Sequence, residues 1–283
     1  MDLIKTVGEL QNTIASLHTE GKTVGFVPTM GALHQGHLSL VKQCLADNDV
    51  CVVSIFVNPT QFNNQEDLLK YPRNLEKDAQ LLLDAGVNIV FAPSEKEIYP
   101  EPDTRLFDFG QLDKVMEGQH RLGHFNGVAQ VVSRLFDIVK PDRAYFGEKD
   151  FQQLAIIRAM VKQLKLNVQI VPMPIVREKT GLALSSRNER LTEQQKDIAV
   201  NISKVLYESR EWAKHYPVDQ VIKNVSDALN AFDELNVEYF EIVDGDSLQP
   251  VSQWNESDYV VGCIAVFCGE VRLIDNIVYH SKS

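Results

Sequence analysis

Two histidines, His34 and His37, stand on either side of Gly36 and are the first candidates for chemistry in this chain. The residues before them, 23–27, form a short apolar run typical of a buried strand, and the apolar spacing after them predicts a helix. The first amides of a helix have no partner within the helix, and its dipole is positive there, so such a turn binds anions, phosphate above all. Gly31 and Gly36 let the backbone approach such a ligand, since neither has a Cβ. The two rings lie about one helical turn apart, so both can face the same ligand.

Three other interpretations of this turn are open to the sequence. The glycines have the Gly-x4-Gly spacing of a P-loop, but His37 and Leu38 occupy the places of its Lys and its Ser or Thr. A zinc site would need a third ligand, which the neighbouring residues do not supply. Two surface histidines in an ordinary turn are the plainest alternative. The pattern disfavours it, because both histidines flank a glycine where a strand gives way to a helix.

Other polar residues follow predicted strands. Residues 50–57 are almost continuously apolar and β-branched, which is typical of a strand covered on both faces of a parallel sheet. Gln61 follows that strand, and Lys149 follows another predicted strand at 143–146. Ligands of open α/β sheets bind at the carboxyl ends of the strands. Taken alone, Gln61 fits an ordinary loop glutamine, whereas Lys149 is a cation beside a second helix start at that edge.

Three further features attract attention. The run 185–187 (Ser-Ser-Arg) puts two hydroxyls and a guanidinium in sequence, a set that suits phosphate oxygens, although a polar interdomain linker is the alternative. Residues 117–128 contain three glycines, two histidines and Arg121, which composition alone assigns to no reaction. Asp78, on a predicted helix at 74–85, could hold Mg²⁺, and by itself is better explained as a solvated helix charge.

The order of predicted elements gives the fold class, α/β. Strands alternating with helices predict a Rossmann-like parallel sheet with helices on both faces, over residues 1–176. Helices followed by meandering strands predict a smaller C-terminal α+β domain over 177–283. The predicted strands lie at 23–27, 50–57, 87–91, 143–146, 168–171, 237–243, 258–267 and 271–275, and predicted helices at 3–20, 74–85, 128–139, 151–164, 193–215 and 218–234.

Composition excludes several function classes. A formal net charge of −11 argues against a broad surface for nucleic acid or an anionic membrane. No apolar run approaches the roughly 20 residues that a transmembrane helix needs, and the first residues lack the apolar core of a signal peptide. The four cysteines show no metal-binding spacing, and Cys263 and Cys268 would face opposite sides of one strand. Reduced cysteines in a cytoplasmic protein fit best.

The motif His34-Gln35-Gly36-His37 resembles the His-x-Gly-His signature of the nucleotidylyltransferase superfamily. The longer run at 28–37 looks like the corresponding run of one family in it, the pantoate–β-alanine ligases or pantothenate synthetases. The similarity covers most of residues 23–190 and leaves the C-terminal part with little signature. The further stretches that carry it, in the family's order, are 53–62, 71–73, 123–128, 146–153 and 181–188.

The resemblance implies an enzyme that condenses pantoate with β-alanine, using ATP and Mg²⁺. The pantoate carboxylate would attack the α-phosphate to give pantoyl adenylate and pyrophosphate, and β-alanine would then displace AMP. The resemblance also implies a homodimer, and we expect residues 177–283 to act as a lid that keeps water from the adenylate. The alternatives are a nucleotidylyltransferase acting on another small molecule and a nucleotide-sensing module without turnover. We expect no nucleic-acid or membrane partner.

The family's site residues are transferred only where this sequence matches. Lys77 stands where the family often has an acid next to Asp78, which weakens any shared metal site there. The implied catalytic residues are His34, His37 and Lys149. The implied ATP-binding residues are Met30, Gly31, His34, Gly36, His37, Gly147, Glu148, Lys149, Asp150, Val176, Leu184, Ser185, Ser186 and Arg187. The implied substrate-binding residues are Gln61, Gln153, Asn58 and Arg121, and Asp78 is the implied Mg²⁺ residue.

Overall fold

A computed structural model of the protein describes residues 1–63 and 65–281. The described chain divides into two compact units, and neither is one continuous stretch of sequence. The first unit comprises Met1–Phe109, Arg121–Glu148 and Ile156–Pro174. The second comprises Gly110–His120, Lys149–Ala155 and the chain from Ile175 onward.

The first unit contains a six-stranded sheet in which every neighbouring pair is parallel. Its strand order is β1-β4-β3-β2-β5-β6, so the order reverses at β2 and β5. In doubly wound sheets such a reversal opens a crevice at the carboxyl ends of the strands. The strands are β1 (Asp2–Ile4), β2 (Val24–Thr29), β3 (Val50–Ile55), β4 (Ile89–Phe91), β5 (Arg143–Gly147) and β6 (Gln169–Met173).

The two central strands, β2 and β3, are mostly apolar because helices cover both faces of the sheet. Val24 pairs with Val50, the pairing continues to Thr29 opposite Ile55, and most residues between are buried. The α-helices of both units, in chain order, are α1 (Val7–Thr19), α2 (Gln35–Asp47), α3 (Gln65–Lys70), α4 (Leu75–Asp84), α5 (Glu95–Ile98), α6 (Met116–His120), α7 (His124–Val139), α8 (Phe151–Leu164), α9 (Glu193–Trp212) and α10 (Val218–Asn230).

The second unit is built on an antiparallel sheet of β7 (Leu235–Asp244), β8 (Val260–Cys268) and β9 (Val271–His280), in the order β7-β8-β9. One face of this sheet packs against α9 and α10 in an apolar core that includes Leu206 and Leu229. The other face contributes Val261 and Cys263 to a smaller cluster with Phe151 at the start of α8.

The α/β fold class predicted from the sequence is confirmed, and so is the small C-terminal α+β region. One edge of the parallel sheet was wrongly predicted. Residues 3–20 were expected to be helical, but Asp2–Ile4 form β1 and pair with β4, so α1 begins only at Val7. Among the described residues, no helix is long and apolar enough to cross a membrane.

Candidate active site

The turn between β2 and α2 is held from both sides. Thr29, the last residue of β2, donates its hydroxyl to the Ser54 carbonyl at 2.7 Å and accepts the Gly31 N–H at 3.2 Å. Gly31 has a φ of +83°, and a Cβ there would lie 2.9 Å from Asp78 Oδ2. Glycine is therefore needed for its backbone conformation and for its lack of a side chain. The chain passes directly over the Asp78 carboxylate before it enters α2.

Asp78 anchors this turn from the first turn of α4. It is only 2% exposed. Its Oδ2 accepts the Ala32 N–H at 2.9 Å, and its Oδ1 accepts the Leu33 N–H at 2.8 Å. Ala32 has a φ of +51°, an unfavourable conformation for an L-residue, and the two hydrogen bonds hold the chain in it.

Asp78 is the residue that the resemblance implies for Mg²⁺, and its carboxylate has other contacts in the structure. Both carboxylate oxygens already accept backbone amides, and Mg²⁺ is usually bound through substrate phosphates, waters and one or two carboxylates. Among the residues that the structure describes, no three His, Cys, Asp or Glu side chains are grouped to hold a metal ion. The structure gives Asp78 a positioning contact to the loop that leads into the histidine pair.

The two histidines are held by the helix start that they flank. The His34 ring accepts the Gly36 N–H through Nδ1 at 3.1 Å, and the His37 ring accepts the His34 N–H through Nδ1 at 3.3 Å. The ring centroids are 4.1 Å apart. A neutral imidazole that accepts at Nδ1 carries its proton on Nε2. Each ring is thereby fixed as an Nε2–H donor.

This geometry changes the expected mode of anion binding. The sequence suggested that the first backbone amides of α2 would bind the anion directly. In the structure the two rings accept the His34 and Gly36 amides, so the imidazole Nε2–H groups are further donors at this helix start. Two such donors on a rigid helix start suit phosphate oxygens in a way that does not require a protonated histidine.

Gln61 lies on a short 3₁₀ helix, Pro59–Gln61, directly after β3. Its Oε1 accepts from Asn58 Nδ2 at 3.1 Å, and its Nε2 lies 3.1 Å from the Met30 sulfur, a weak acceptor. The structure therefore brings Met30, Asn58 and Gln61 into direct contact. Gln61 has a fixed amide orientation, which a glutamine in an ordinary loop does not need.

Asn58 is 1% exposed and serves to orient Gln61. Its Nδ2 also donates to the Gly127 carbonyl at 3.1 Å, and its Oδ1 accepts from the Tyr99 hydroxyl at 2.9 Å. Burial raises the pKa of Tyr99, so this hydroxyl stays protonated and remains a donor. Asn58 was expected to bind substrate, and the structure places it behind Gln61 as a buried support.

His124 fixes the backbone of Gln61 and lies beside Arg121. Its Nδ1 is 2.7 Å from the Gln61 carbonyl oxygen and 3.1 Å from Arg121 Nη2. Arginine has only donors, and a nitrogen this close to a carbonyl must itself carry a hydrogen. The Nδ1–H therefore donates to Gln61, and the Arg121 guanidinium lies next to the ring without donating to that nitrogen. The candidate residues did not include His124, although it stands within the matching stretch 123–128.

The carboxyl end of β5 leads into the second unit. Gly147 ends β5 and Glu148 opens a 3₁₀ turn, Glu148–Asp150, that precedes α8. The carbonyl of Lys149, in this turn, accepts from Asn276 Nδ2 at 3.2 Å. Gln153 lies in the first turn of α8.

Gln152, which was not among the candidates, anchors the start of α8. It is 3% exposed and accepts the Glu117 N–H at 2.9 Å. Its Nε2 donates to the carbonyls of Leu112 and Val115 at 2.8 and 2.9 Å. A buried side chain with three backbone partners holds the helix start rigidly, and with it the neighbouring Gln153.

The Ser-Ser-Arg run belongs to a short hairpin followed by a 3₁₀ helix. Residues 176 and 184 are joined by a backbone hydrogen bond of 3.0 Å, and Arg177 bridges to Ala183. Ser185 caps the 3₁₀ helix Ser186–Arg190 by accepting the Arg187 N–H at 3.3 Å. The run therefore has regular structure within the second unit. The sequence alone was also compatible with a polar interdomain linker.

The predicted site residues fall into two groups, one in each unit. Support residues outside the predicted set are Thr29, Tyr99, Gln152 and His124, and all but Tyr99 stand within the matching stretches. The first unit holds Met30, Gly31, His34, Gly36, His37, Asn58, Gln61, Asp78, Arg121, Gly147 and Glu148. The second holds Lys149, Asp150, Gln153, Val176, Leu184, Ser185, Ser186 and Arg187.

Comparison with known proteins agrees with the resemblance seen in the sequence. A family model described as pantoate-beta-alanine ligase matches residues 2–278. The pantothenate synthetase of Phocaeicola vulgatus is 61% identical over 280 residues, which are 99% of each chain. The crystal structure of pantothenate synthetase from Thermus thermophilus is 44% identical, with a TM-score of 0.93 over 99% of this chain and 100% of that one.

A second similar structure is that of a ligand complex. It is a pantoate-beta-alanine ligase from Francisella tularensis complexed with beta-gamma ATP and beta-alanine. It is 35% identical, with a TM-score of 0.83 over 100% of this chain and 99% of that one. The likeness therefore extends through both compact units, including the C-terminal part that has little sequence signature.

Proposed function

The chain belongs to the pantoate–β-alanine ligase family, ATP-dependent enzymes that form an amide bond, and from that membership we propose the course of its reaction. The pantoate carboxylate attacks the α-phosphorus of ATP, the bond to pyrophosphate breaks, and pantoyl adenylate forms. The β-alanine amine then attacks the activated carbonyl and AMP leaves with the electron pair of the broken bond. The products are pantothenate, AMP and pyrophosphate.

The observation that carries this proposal is the imidazole pair. His34 and His37 are fixed as Nε2–H donors at a helix start beside the strand-order reversal, where doubly wound sheets bind ligands. Attack at the α-phosphorus raises negative charge on its oxygens. Preorganised donors aimed at such charge commonly stabilise a transition state by about 3 kcal/mol each. We assign Met30, Gly31 and Gly36 to ATP contact in the same turn.

The remaining assignments are made within each unit. In the first, Gln61, with Asn58 behind it and Arg121 near by, binds pantoate, and Gly147 with Glu148 contacts the nucleotide. A neutral glutamine holds hydroxyls without neutralising the carboxylate that must attack. In the second, Lys149 acts on the phosphates, and Gln153 binds pantoate. Asp150 and the hairpin residues Val176, Leu184, Ser185, Ser186 and Arg187 contact the nucleotide.

Mg²⁺ enters this proposal with ATP. The carboxylate that the resemblance implies for it is Asp78, and both oxygens of that carboxylate accept amides. Bound Mg²⁺ would neutralise phosphate charge and so favour the departure of pyrophosphate. Asp78 acts on the reaction by holding the loop that precedes His34.

Several wider expectations belong to the same proposal. Residues 1–176 would bind nucleotide and pantoate, and 177–283 would act as a lid that keeps water from the adenylate. The protein would be a cytoplasmic homodimer with no nucleic-acid or membrane partner. Buried free thiols at Cys44, Cys51, Cys263 and Cys268 support a reducing compartment. Sedimentation at micromolar concentration would overturn the dimer if it gave a monomer of 32.0 kDa.

Exchange of labelled pyrophosphate into ATP tests the proposed intermediate. We expect exchange that requires pantoate and Mg²⁺ but not β-alanine, and no ADP. Exchange that needs β-alanine, or pantoate-dependent ADP, would contradict the acyl-adenylate course. Nucleotide transfer to a different small molecule, without amide formation, would favour the alternative that the chain is a nucleotidylyltransferase. Saturable ATP binding without any turnover would favour a nucleotide sensor.

A further inference from the structure

We propose that Asp275 and Asn276, consecutive residues of β9, are positioning residues for ATP. Each holds one of two segments of the second unit that the proposed function assigns to the nucleotide, so this inference rests on that function. One segment is the 3₁₀ turn with Lys149. The other is the segment 176–187, which consists of the hairpin that contains Arg177 and the start of the 3₁₀ helix after it. No motif marks β9, and its role follows only from its contacts.

Asp275 holds the hairpin through a buried ion pair. Arg177 donates from Nη1 to Asp275 Oδ2 at 2.6 Å and from Nη2 to Oδ1 at 2.8 Å, a bidentate arrangement. The two side chains are 15% and 4% exposed. The Arg177 guanidinium also donates to the Gly181 carbonyl at 3.3 Å and lies 5.4 Å from the Tyr207 ring centroid. One guanidinium thus ties the base and the tip of the hairpin to β9.

Asn276 holds the other segment. Its Nδ2 donates to the Lys149 carbonyl at 3.2 Å, and its side chain is buried. The adjoining Asp275 Oδ1 accepts the Asn276 N–H at 2.8 Å, which couples the two residues to each other. The backbone of Lys149 is therefore fixed by a residue 127 positions further along the chain.

The two side chains reach opposite faces of the sheet. Neighbouring residues of a strand alternate between faces. Leu273 and Ile277 belong to the core packed by α9, and Asp275 shares their alternation. Val278 packs with the cluster that contains Phe151, next to Lys149, and Asn276 shares its alternation. One dipeptide therefore fixes a nucleotide-binding segment on each face.

Loss of the Asp275 charge should loosen the hairpin more than loss of the Asn276 amide should loosen the turn. A buried arginine left without its carboxylate is costly, whereas a neutral hydrogen bond contributes little in net terms. We expect Asp275→Asn to raise the KM for ATP about tenfold and Asn276→Ala to raise it about threefold. The KM for pantoate should stay within about twofold, because Gln61 belongs to the first unit and Gln153 follows Gln152, whose own backbone contacts hold the start of α8.

The test compares these variants with a control substitution that removes a different hydrogen bond of the same strand. Tyr279, also on β9, shares a hydrogen bond of 2.7 Å with Ser209 on α9, and neither residue belongs to a nucleotide segment. Tyr279→Phe removes that contact and should leave the KM for ATP unchanged. ATP affinity is measured by calorimetry without pantoate, and the melting temperature of every variant is recorded. If Asp275→Asn does not fold, Arg177→Lys tests the same contact with the charge kept.

Two results would overturn the inference. One is an unchanged ATP affinity in Asp275→Asn or Arg177→Lys when only the melting temperature falls. The other is a rise in the KM for ATP in Tyr279→Phe as large as in Asp275→Asn. Arg177→Lys combined with Asp275→Asn should be no worse than Asp275→Asn alone, because both break one contact. If Lys149→Ala also leaves pyrophosphate exchange intact, it is the proposed function that fails.

Discussion

The turn at residues 30–37 and the strand β9 both hold groups assigned to ATP, but they do so over very different distances in sequence. In the turn, His34 binds Gly36 two residues away, and His37 binds His34 three residues away. On β9, the partners of Asp275 and Asn276 lie 98 and 127 residues away. The first kind of contact leaves a spacing that can be read in a sequence, and the second leaves none.

The comparison also separates two kinds of effect. Groups that contact the reacting phosphate should change the rate of chemistry, while groups that hold a binding segment should change affinity. Asp78 is an intermediate case between these two kinds of group, because it lies outside the motif and yet holds the turn directly. Substitutions in the two regions test whether effects on rate and effects on affinity can be separated in this way.

The largest effect is expected from removing a donor. His37→Ala and Lys149→Ala should each lower single-turnover formation of pantoyl adenylate by about 10²-fold or more, the scale of one lost electrostatic donor. Exposed residues of the same types, in His215→Ala and Lys223→Ala, serve as controls. Near-normal rates in both active-site variants, with the fold intact, would refute their assignment.

Asp78→Asn should come next, at about tenfold or more in kcat, since a displaced loop misplaces the donors that follow it. The amide would present an N–H to one of the two backbone donors, Ala32 or Leu33. Glu76→Gln, an exposed residue in the same helical turn, removes an equal charge from the same helix start. The concentration of Mg²⁺ for half-maximal rate should stay the same, and a tenfold rise in it would show that Asp78 binds the metal after all.

Gly31→Ala should lower kcat by about tenfold, because its new Cβ would meet Asp78 Oδ2 at 2.9 Å. Gly86→Ala is a close control. Its φ of +84° matches the +83° of Gly31, but a Cβ there meets nothing within 4 Å. Both substitutions should cost about 1 kcal/mol of stability from backbone strain, measured by urea unfolding. Equal kinetics in the two variants would mean that contact with Asp78 does not matter.

The smallest effect is expected for Gln61→Ala, about fivefold in the KM for pantoate, the scale of one net hydrogen bond. The KM for ATP should not change, and Gln80→Ala on the exposed face of α4 controls for a lost glutamine. A larger effect on ATP than on pantoate would move Gln61 from the substrate to the nucleotide.

Short-range signals predicted most of the fold and part of the site. The buried strands β2 and β3 are visible in the sequence as almost continuous apolar runs. The histidine pair was likewise visible from its spacing around Gly36. In each case the residues that form the pattern are near neighbours in sequence.

Features that depend on long-range contacts, or that consist of very few residues, could not be predicted from the sequence. The three residues of β1 are too few to show a pattern, and their pairing with β4 is settled by a contact about 87 residues away along the chain. Asp78 appeared to be a solvated helix charge because its amide partners lie 45 and 46 residues earlier. The orientation of Gln61 depends on Tyr99 and Gly127 through Asn58, which no local pattern indicates.

The hairpin that carries β9 has a consequence for tolerance to insertions. Cys268 pairs with Val271, so only Gly269 and Glu270 form the turn, and Gly269 has a φ of +55°. The length of this turn decides which residue of β9 stands opposite each residue of β8, and a slip by one residue reverses the faces of every side chain. Asp275 would then point to the side of Phe151, and Asn276 to the side of Arg177. A surface turn with no chemistry of its own thus sets the alignment of both nucleotide segments.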